Sequence, residues 1–145
     1  MSLKWPSVLA FLLMVVGLVW MAARRELFAR SLPAAIVQVC AVALMIAARM
    51  TFGKRSFHAA ADPTAGGLVT TGPYRWLRHP IYAAVLYFTW TAAVEYRSGP
   101  ALAAAVLVTL GAAVRMYAEE TLLIGRYPEY ADYRARTARL IPFLL

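Results

Sequence analysis

Two long apolar runs occupy the first third of the chain, Trp5–Ala23 and Leu32–Met50, with 19 residues in each. A helix of that length rises about 28 Å, which is close to the thickness of the hydrocarbon core of a bilayer. The short polar turn RRELFARS separates the two runs. The pattern predicts two N-terminal membrane spans. The first is expected to be retained, since it is long for a signal peptide and basic residues follow it.

A second apolar block covers residues 81–124 and divides at the polar turn RSGP. Pro80 stands where a first-turn proline belongs, so a third helix is expected to start there. Pro100 opens a fourth helix, which Gly125 and the proline after it are expected to end. Two apolar helices joined by so short a turn predict an antiparallel helical hairpin.

Polar and aromatic residues characterise the remaining segments, 51–80 and 125–145. The first is a long connection punctuated by glycine and proline, and a loop of that length in a small protein is usually functional when it is ordered. In the second, Tyr127, Tyr130 and Tyr133 fall three residues apart. This spacing predicts one face of a helix that lies at the membrane interface.

The predicted fold class is an all-α integral membrane protein with four transmembrane helices and a cytoplasmic interfacial C-terminal helix. The composition agrees, because 62% of the residues are hydrophobic and only 15% are charged, whereas soluble domains are about half apolar and a quarter charged. The predicted organisation is one membrane domain, 1–145, comprising two N-terminal spans (1–50), a cytoplasmic loop (51–80), a helical hairpin (81–124) and a cytoplasmic C-terminal segment (125–145).

The distribution of Lys and Arg predicts the orientation of these spans. With four spans, both termini share a side with the loop 51–80, and that side carries nine basic residues against four on the other. The excess predicts a cytoplasmic location for the termini and the loop. Thirteen Arg against two Lys, with abundant Ala, indicates a GC-rich bacterium and therefore the bacterial inner membrane. The net charge of +8 suits an anionic lipid surface, and no separate basic domain indicates nucleic-acid binding.

Charged side chains from both helices of the hairpin are expected to converge at its cytoplasmic end. Because each residue adds 1.5 Å of rise, the end of the fourth helix returns to the level at which the third begins. Ionisable groups that meet at membrane level are typical of a functional site, although interface anchors and simple ion pairs are the alternatives. The predicted cluster contains Tyr74, Arg75, Arg78, His79, Tyr82, Arg115, Glu119 and Glu120.

Other chemistries find little support in the sequence. The two histidines, His58 and His79, lack the spacing of a helical metal-binding pair, so no metal is predicted. Neither a dinucleotide-binding glycine motif nor a Ser or Cys nucleophile motif is present. The single cysteine, Cys40, lies in an apolar run and is predicted to be a buried structural thiol.

The stretch LVTTGPYRWLRHPIY, followed after the hairpin by RMYAEETLLIGRYPEYADYRARTARLIPFL, resembles the isoprenylcysteine carboxyl methyltransferase family. That family includes small prokaryotic members and the related phospholipid N-methyltransferases. The resemblance covers roughly residues 66–143, and the first two helices match only in character. It implies an integral membrane enzyme that uses S-adenosylmethionine, with a cytoplasmic pocket closed by the C-terminal segment. RYPEYADY stands where many relatives have a Phe-Gly-Glu-Glu-Tyr type of sequence.

The resemblance also implies roles for individual residues. A carboxylate suits the ammonium group of S-adenosylmethionine, a cation suits its carboxylate, and tyrosine faces suit its adenine and sulfonium. Glu119 shares a helix face with Arg115, so Glu120 is expected to take the ammonium. The expected roles are cofactor binding by Tyr74, Arg78, His79, Tyr82 and Glu120, and catalysis by Arg115 and Glu119.

The expected function is methyl transfer to a lipophilic acceptor held in the bilayer, either an isoprenylcysteine-like carboxylate or a phospholipid amine. Two other functions are compatible with the residues. One is an NADPH-dependent membrane reductase of the sterol type, although such enzymes are normally longer, with more spans. The other is a membrane adaptor without enzymatic activity, in which the charged cluster is only mutual salt bridging. The expected partners are a lipid or lipidated substrate and the bilayer, while the oligomeric state stays open.

Overall fold

A computed structural model describes residues 4–53 and 67–142 of the chain. Within these ranges the protein is helical, and its only β-type pairing is an isolated bridge between Leu77 and Ala138. A 3₁₀ turn, Gly72–Arg75, precedes the third helix. The predicted all-α class is therefore confirmed for the described residues. The helices are α1 (Lys4–Ala23), α2 (Leu32–Phe52), α3 (Pro80–Tyr96), α4 (Gly99–Arg126) and α5 (Tyr130–Arg136).

Local sequence signals account for the helix ends. Proline occupies the first turn of both α3 and α4, where its missing N–H costs no intrahelical hydrogen bond. The hydroxyl of Ser98 caps α4 by accepting a hydrogen bond from the N–H of Ala101 at 3.1 Å. Arg97, in a left-handed conformation, ends α3. As a result, α3 and α4 are separated by only two residues, as the RSGP turn predicts.

Three of the described helices are long and apolar enough to cross a membrane: Trp5–Ala23, Leu32–Phe52 and Gly99–Arg126. The fourth predicted span corresponds to α3, which has 17 residues and rises about 25 Å. Unlike α1 and α2, this helix is largely covered by its neighbours, because it packs against both α2 and α4. The structure thus identifies a membrane protein with at least three helices suited to spanning.

Close approach of small residues holds α1 against α4. A methyl group added at Gly111 would lie 2.6 Å from the carbonyl oxygen of Ala10, and one added at Gly17 would lie 2.7 Å from Val108 Cγ2. Packing of this kind is typical of membrane helices, where association depends on van der Waals contact rather than on hydrophobic burial. The larger side chain of Met14 then fills the core beside this contact.

Two polar side chains fasten the turn between α1 and α2 to the rest of the bundle. The side chain of Gln38, buried in α2, accepts from the N–H of Ala29 at 2.9 Å and donates to the carbonyl of Phe88 on α3 at 3.1 Å. Glu95 at the end of α3 accepts from the backbone N–H of Ser31 at 2.6 Å, next to the start of α2. Such hydrogen bonds are stabilising in apolar surroundings, because unpaired polar groups there cannot form hydrogen bonds with water instead.

Cys40 corrects one expectation. The thiol is exposed on the outer face of α2 rather than buried. Large apolar side chains such as Val39 and Ile46 are also exposed on this helix. Because α2 packs mainly on α3, most of its surface faces outward, where a membrane would supply the apolar surroundings. Its hydrophobicity therefore reflects lipid contact more than burial in a protein core.

The C-terminal segment also departs from its prediction. Tyr127 lies beyond the end of α4 and outside α5, so the three tyrosines do not share one helix. Tyr130 and Tyr133 are buried against the protein instead of facing a membrane interface. Within the predicted loop 51–80, the positions of Lys54 and His58 lie outside the described residues.

Candidate functional site

The backbone of the C-terminal segment lies beside the Arg-His-Pro motif that precedes α3. The N–H of Arg78 donates to the carbonyl of Ala138 at 2.8 Å, and the N–H of Ala138 donates to the carbonyl of Trp76 at 3.1 Å. The N–H of His79 donates to the carbonyl of Arg139 at 3.2 Å. These bonds bring two segments that are sixty residues apart to the same end of the helical bundle, where α4 also ends.

Glu120 on α4 is buried and lies among three positively charged or ionisable groups. Its Oε1 atom accepts from Arg78 Nε at 3.3 Å and lies 3.1 Å from His79 Nε2. The guanidinium of Arg139 donates to the same carboxylate through Nε at 3.2 Å and Nη2 at 2.9 Å. Both oxygens of Glu120 are thus occupied by contacts within the chain.

Glu119 has different neighbours, since adjacent residues on a helix point about 100° apart. It accepts a hydrogen bond from the hydroxyl of Tyr82 and pairs with Arg115 Nη2 at 3.5 Å. His79 Nδ1 lies 3.7 Å from its Oε2. The side chain of Glu119 is 27% exposed, compared with 6% for Glu120. His79 therefore sits between two carboxylates, of which Glu119 is the more accessible.

Arg115 connects this cluster to α1. It is buried, and its Nε donates to the hydroxyl of Tyr82 at 2.7 Å. Its Nη1 donates to the carbonyl of Ser7 at 3.2 Å, and its guanidinium lies 5.3 Å from the ring centre of Phe11. A charge buried in this way is tolerated because it is both paired and hydrogen-bonded. The first helix is therefore part of the site, which the sequence did not indicate.

Tyr74 approaches the cluster from the 3₁₀ turn. Gly72 begins that turn with a φ of 56°, and a methyl group there would lie 2.5 Å from the hydroxyl oxygen of Thr51, so glycine is required. The ring of Tyr74 lies 5.5 Å from that of Phe52. Burial, assisted by the negative charge of Glu119, raises the pKa of Tyr74. The phenol is therefore neutral at physiological pH.

Of the eight residues in the predicted cluster, Arg75 is placed apart. Its side chain is exposed, and its guanidinium lies over the ring of Trp76 at 5.4 Å from the ring centre. Trp76 is itself exposed. A tryptophan with an arginine stacked on it is typical of an anchor at the level of lipid headgroups.

The model of one protein family, described as phospholipid methyltransferase, matches residues 30–130. The chain belongs to the phospholipid methyltransferase family. This confirms the resemblance seen in the sequence and favours a membrane methyltransferase over a reductase or an adaptor. No curated protein and no solved structure matches the chain significantly.

The family match contains all the predicted site residues but ends before Arg139. Arg139 is not among the predicted site residues, yet it makes two hydrogen bonds to Glu120. Tyr130 and Tyr133, which the tyrosine spacing predicts at the membrane interface, are buried beside the site. The sequence signal that points to Arg139 is charge balance, because residues 119–139 carry the carboxylates Glu119, Glu120, Glu129 and Asp132 beside four Arg residues, and Arg75, Arg78 and Arg115 converge on the same end.

Metal binding has no support among the residues the structure describes. Within 4–53 and 67–142, no group of three or more His, Cys, Asp and Glu side chains is arranged to hold a metal ion. His58 lies outside these ranges. The groups that the described residues bring together in this cluster are carboxylates, guanidinium groups, one imidazole and phenols.

Proposed function

We propose that this protein transfers a methyl group from S-adenosylmethionine to a lipophilic acceptor that is held in the membrane. The observation that carries the proposal is the pair Glu119 and Glu120, bridged by His79 within a methyltransferase family match. An isoprenylcysteine-like carboxylate and a phospholipid amine are the two acceptor classes. Both are lipids whose reacting group lies near the headgroup level.

The side chains at the site suit S-adenosylmethionine, which carries an ammonium, a carboxylate, an adenine and a sulfonium. When bound, it supplies a methyl group attached to a positively charged sulfur. The sulfur leaves as a neutral thioether and is therefore already an activated leaving group. A protein using it needs no nucleophile of its own, in keeping with the absence of a nucleophile motif in the sequence. The tasks left to the chain are to align the reactants and to exclude water.

The contacts support Glu119 as the residue that binds the ammonium. Glu120, which the sequence assigned to this role, has both oxygens occupied by Arg78, His79 and Arg139. Glu119 is the more exposed carboxylate, and among residues 4–53 and 67–142 its Oε2 has the 3.7 Å contact to His79 alone. In this proposal Glu120 is a positioning residue that holds the imidazole and the two guanidinium groups in place.

Arg115 and Tyr82 are proposed to orient Glu119 and to line the binding site. Arg115 and Tyr82 both contact Glu119 and each other. The faces of Tyr82 and Tyr74 suit a cationic sulfur and an adenine ring. A carboxylate acceptor needs no base, whereas an amine acceptor must lose a proton, for which His79 is available because Glu119 is paired with Arg115 and the ammonium.

We further propose that α3 is a fourth span and that the site and both termini face the cytoplasm of a bacterial cell. The contacts of α3 with α2 and α4 and the short turn before α4 support a hairpin within one membrane domain. The excess of nine basic residues over four supports the orientation.

Binding of S-adenosylhomocysteine to the purified protein in detergent tests the cofactor. The His79→Ala variant should bind it more weakly by about 1–3 kcal/mol, the cost of losing a buried or charge-assisted hydrogen bond. A Tyr117→Phe variant, changed at an exposed position, is the matched control. A radiolabelled-methyl assay over total membrane lipids and a prenylcysteine analogue then identifies the acceptor class. Unchanged affinity in His79→Ala removes this residue from the site, and no binding by the unmodified protein rejects the cofactor.

A further inference from the structure

We propose that Tyr130 and Arg139 bind the carboxylate of the methyl donor. This inference rests on the proposed function, because the methyl donor is itself part of that proposal. It assigns the carboxylate of the donor to two residues outside the predicted cluster. Both belong to the C-terminal segment, which the backbone bonds between residues 76–79 and 138–139 hold against the site.

The hydroxyl of Tyr130 is the observation that points to a ligand. Tyr130 is 1% exposed, and its hydroxyl oxygen is buried with no hydrogen-bond partner among the described residues. Its neighbour Tyr133, whose ring centre is 5.9 Å away, donates to the carbonyl of Tyr74 at 2.7 Å. A buried hydroxyl without a partner lowers stability, so one that is retained calls for an explanation. A hydrogen-bond acceptor on a bound ligand supplies it.

The charges around this hydroxyl indicate which ligand chemistry fits. Burial raises the pKa of Tyr130 to about 12, so at physiological pH the phenol is neutral and donates a hydrogen bond. Three cations against one carboxylate leave an excess of positive charge, which an anionic oxygen acceptor would complement. The charged groups that act on the phenol are Glu120, Arg78, Arg134 and Arg139.

Arg139 is the more accessible of the two guanidinium groups that contact Glu120. Arg78 is largely buried, and its Nη1 already donates to the carbonyls of Arg134 and Thr137. Arg139 contacts Glu120 through Nε and Nη2, yet its side chain remains 45% exposed. A guanidinium has five N–H donors, so Arg139 can keep Glu120 and bind a second carboxylate.

The donor's own carboxylate fits because of its connection to the ammonium. Both groups are attached to one carbon atom, so their binding sites must adjoin. Glu119, the proposed ammonium site, is linked through His79 to Glu120 and from there to Arg139. An anionic group on the lipid acceptor has the same hydrogen-bonding chemistry, and the experiment below separates the two sources.

Two probes that differ only in the carboxylate test the assignment: S-adenosylhomocysteine and its decarboxylated analogue. Calorimetry in detergent compares the unmodified protein with Tyr130→Phe and Arg139→Gln, using Tyr117→Phe as the control. We expect Tyr130→Phe to raise the Kd for S-adenosylhomocysteine about tenfold, as for the loss of a hydrogen bond to a charged group. Neither Tyr130→Phe nor Arg139→Gln should change the Kd for the decarboxylated analogue. The melting temperature of Tyr130→Phe without ligand should not fall, since its hydroxyl has no hydrogen-bond partner in the part of the chain that the structure describes.

The possible results separate this inference from the proposed function. Equal loss of affinity for both probes in Tyr130→Phe assigns the residue a structural role and overturns the inference. If Tyr130→Phe binds both probes with unchanged affinity but has a raised KM for the lipid acceptor, the Tyr130 hydroxyl contacts the acceptor. That result also overturns the inference. If the unmodified protein binds both probes equally well, the cofactor stands but the carboxylate site is rejected. If it binds neither probe, the proposed function itself fails.

Discussion

His79 Nε2 lies 3.1 Å from Glu120 Oε1, and this contact joins the start of α3 to the end of α4. The other ring nitrogen, Nδ1, lies 3.7 Å from Glu119. One imidazole therefore holds two neighbouring carboxylates whose surroundings differ. Glu120 is enclosed by cations, whereas Glu119 is open enough to meet a ligand. This difference supports the proposal that Glu120 has a structural role and that Glu119 binds the ligand.

Substitution of each glutamate by Gln should separate the two roles. Glu119→Gln keeps the shape but removes the charge that attracts an ammonium, so the Kd for S-adenosylhomocysteine should rise at least tenfold, about 1.4 kcal/mol. Its melting temperature should fall less than that of Glu120→Gln, because its guanidinium partner Arg115 is 3.5 Å away and keeps its hydrogen bonds to Tyr82 and to the carbonyl of Ser7. Glu120→Gln should instead lower the free energy of unfolding by about 3 kcal/mol, because it leaves the largely buried Arg78, and Arg139 beside it, without a carboxylate. Isothermal calorimetry and thermal unfolding in detergent measure the two effects, and the opposite order would make Glu120 the ligand.

Contact between α1 and α4 should be sensitive to a single methyl group. Gly111→Ala would place a Cβ atom 2.6 Å from the carbonyl oxygen of Ala10, and the helices must separate to relieve the clash. We expect the free energy of unfolding to fall by about 1–3 kcal/mol, as for other overpacked sites. The matched control is Gly125→Ala on the same helix, where a Cβ meets no atom of the described residues within 4 Å. Equal melting temperatures for the two variants would contradict this description of the interface.

Labelling of single cysteines should decide whether α3 crosses the membrane. In a Cys40→Ser background, Arg24→Cys and Arg134→Cys are exposed to a membrane-impermeant maleimide in intact cells. With four spans, the two positions lie on opposite sides, and only Arg24→Cys is labelled from outside. If α3 does not cross, the three remaining spans place both positions on one side. Labelling of both cysteines from outside would therefore reject the four-span topology.

Much of the fold follows from local sequence. Apolar runs and prolines determined where α1 to α4 begin and end to within about two residues, because these features act within one helical turn. The regular rise of a helix also placed Arg115 and Glu119 at the level of Tyr82, where the structure has them in contact. These inferences need only helix geometry and one short turn.

Tertiary structure decided what contacts each charged group. Arg115 donates to the carbonyl of Ser7, and Arg139 donates to Glu120. The side chain of Tyr130 is buried against the protein. Each of these contacts joins parts of the chain that are distant in sequence or lie on separate elements. No periodicity encodes such contacts, because they depend on how helices and the C-terminal segment pack in three dimensions. The same holds for exposure: the sequence shows that Glu119 and Glu120 point apart, but only the packed structure determines that Glu120 is enclosed and Glu119 is open.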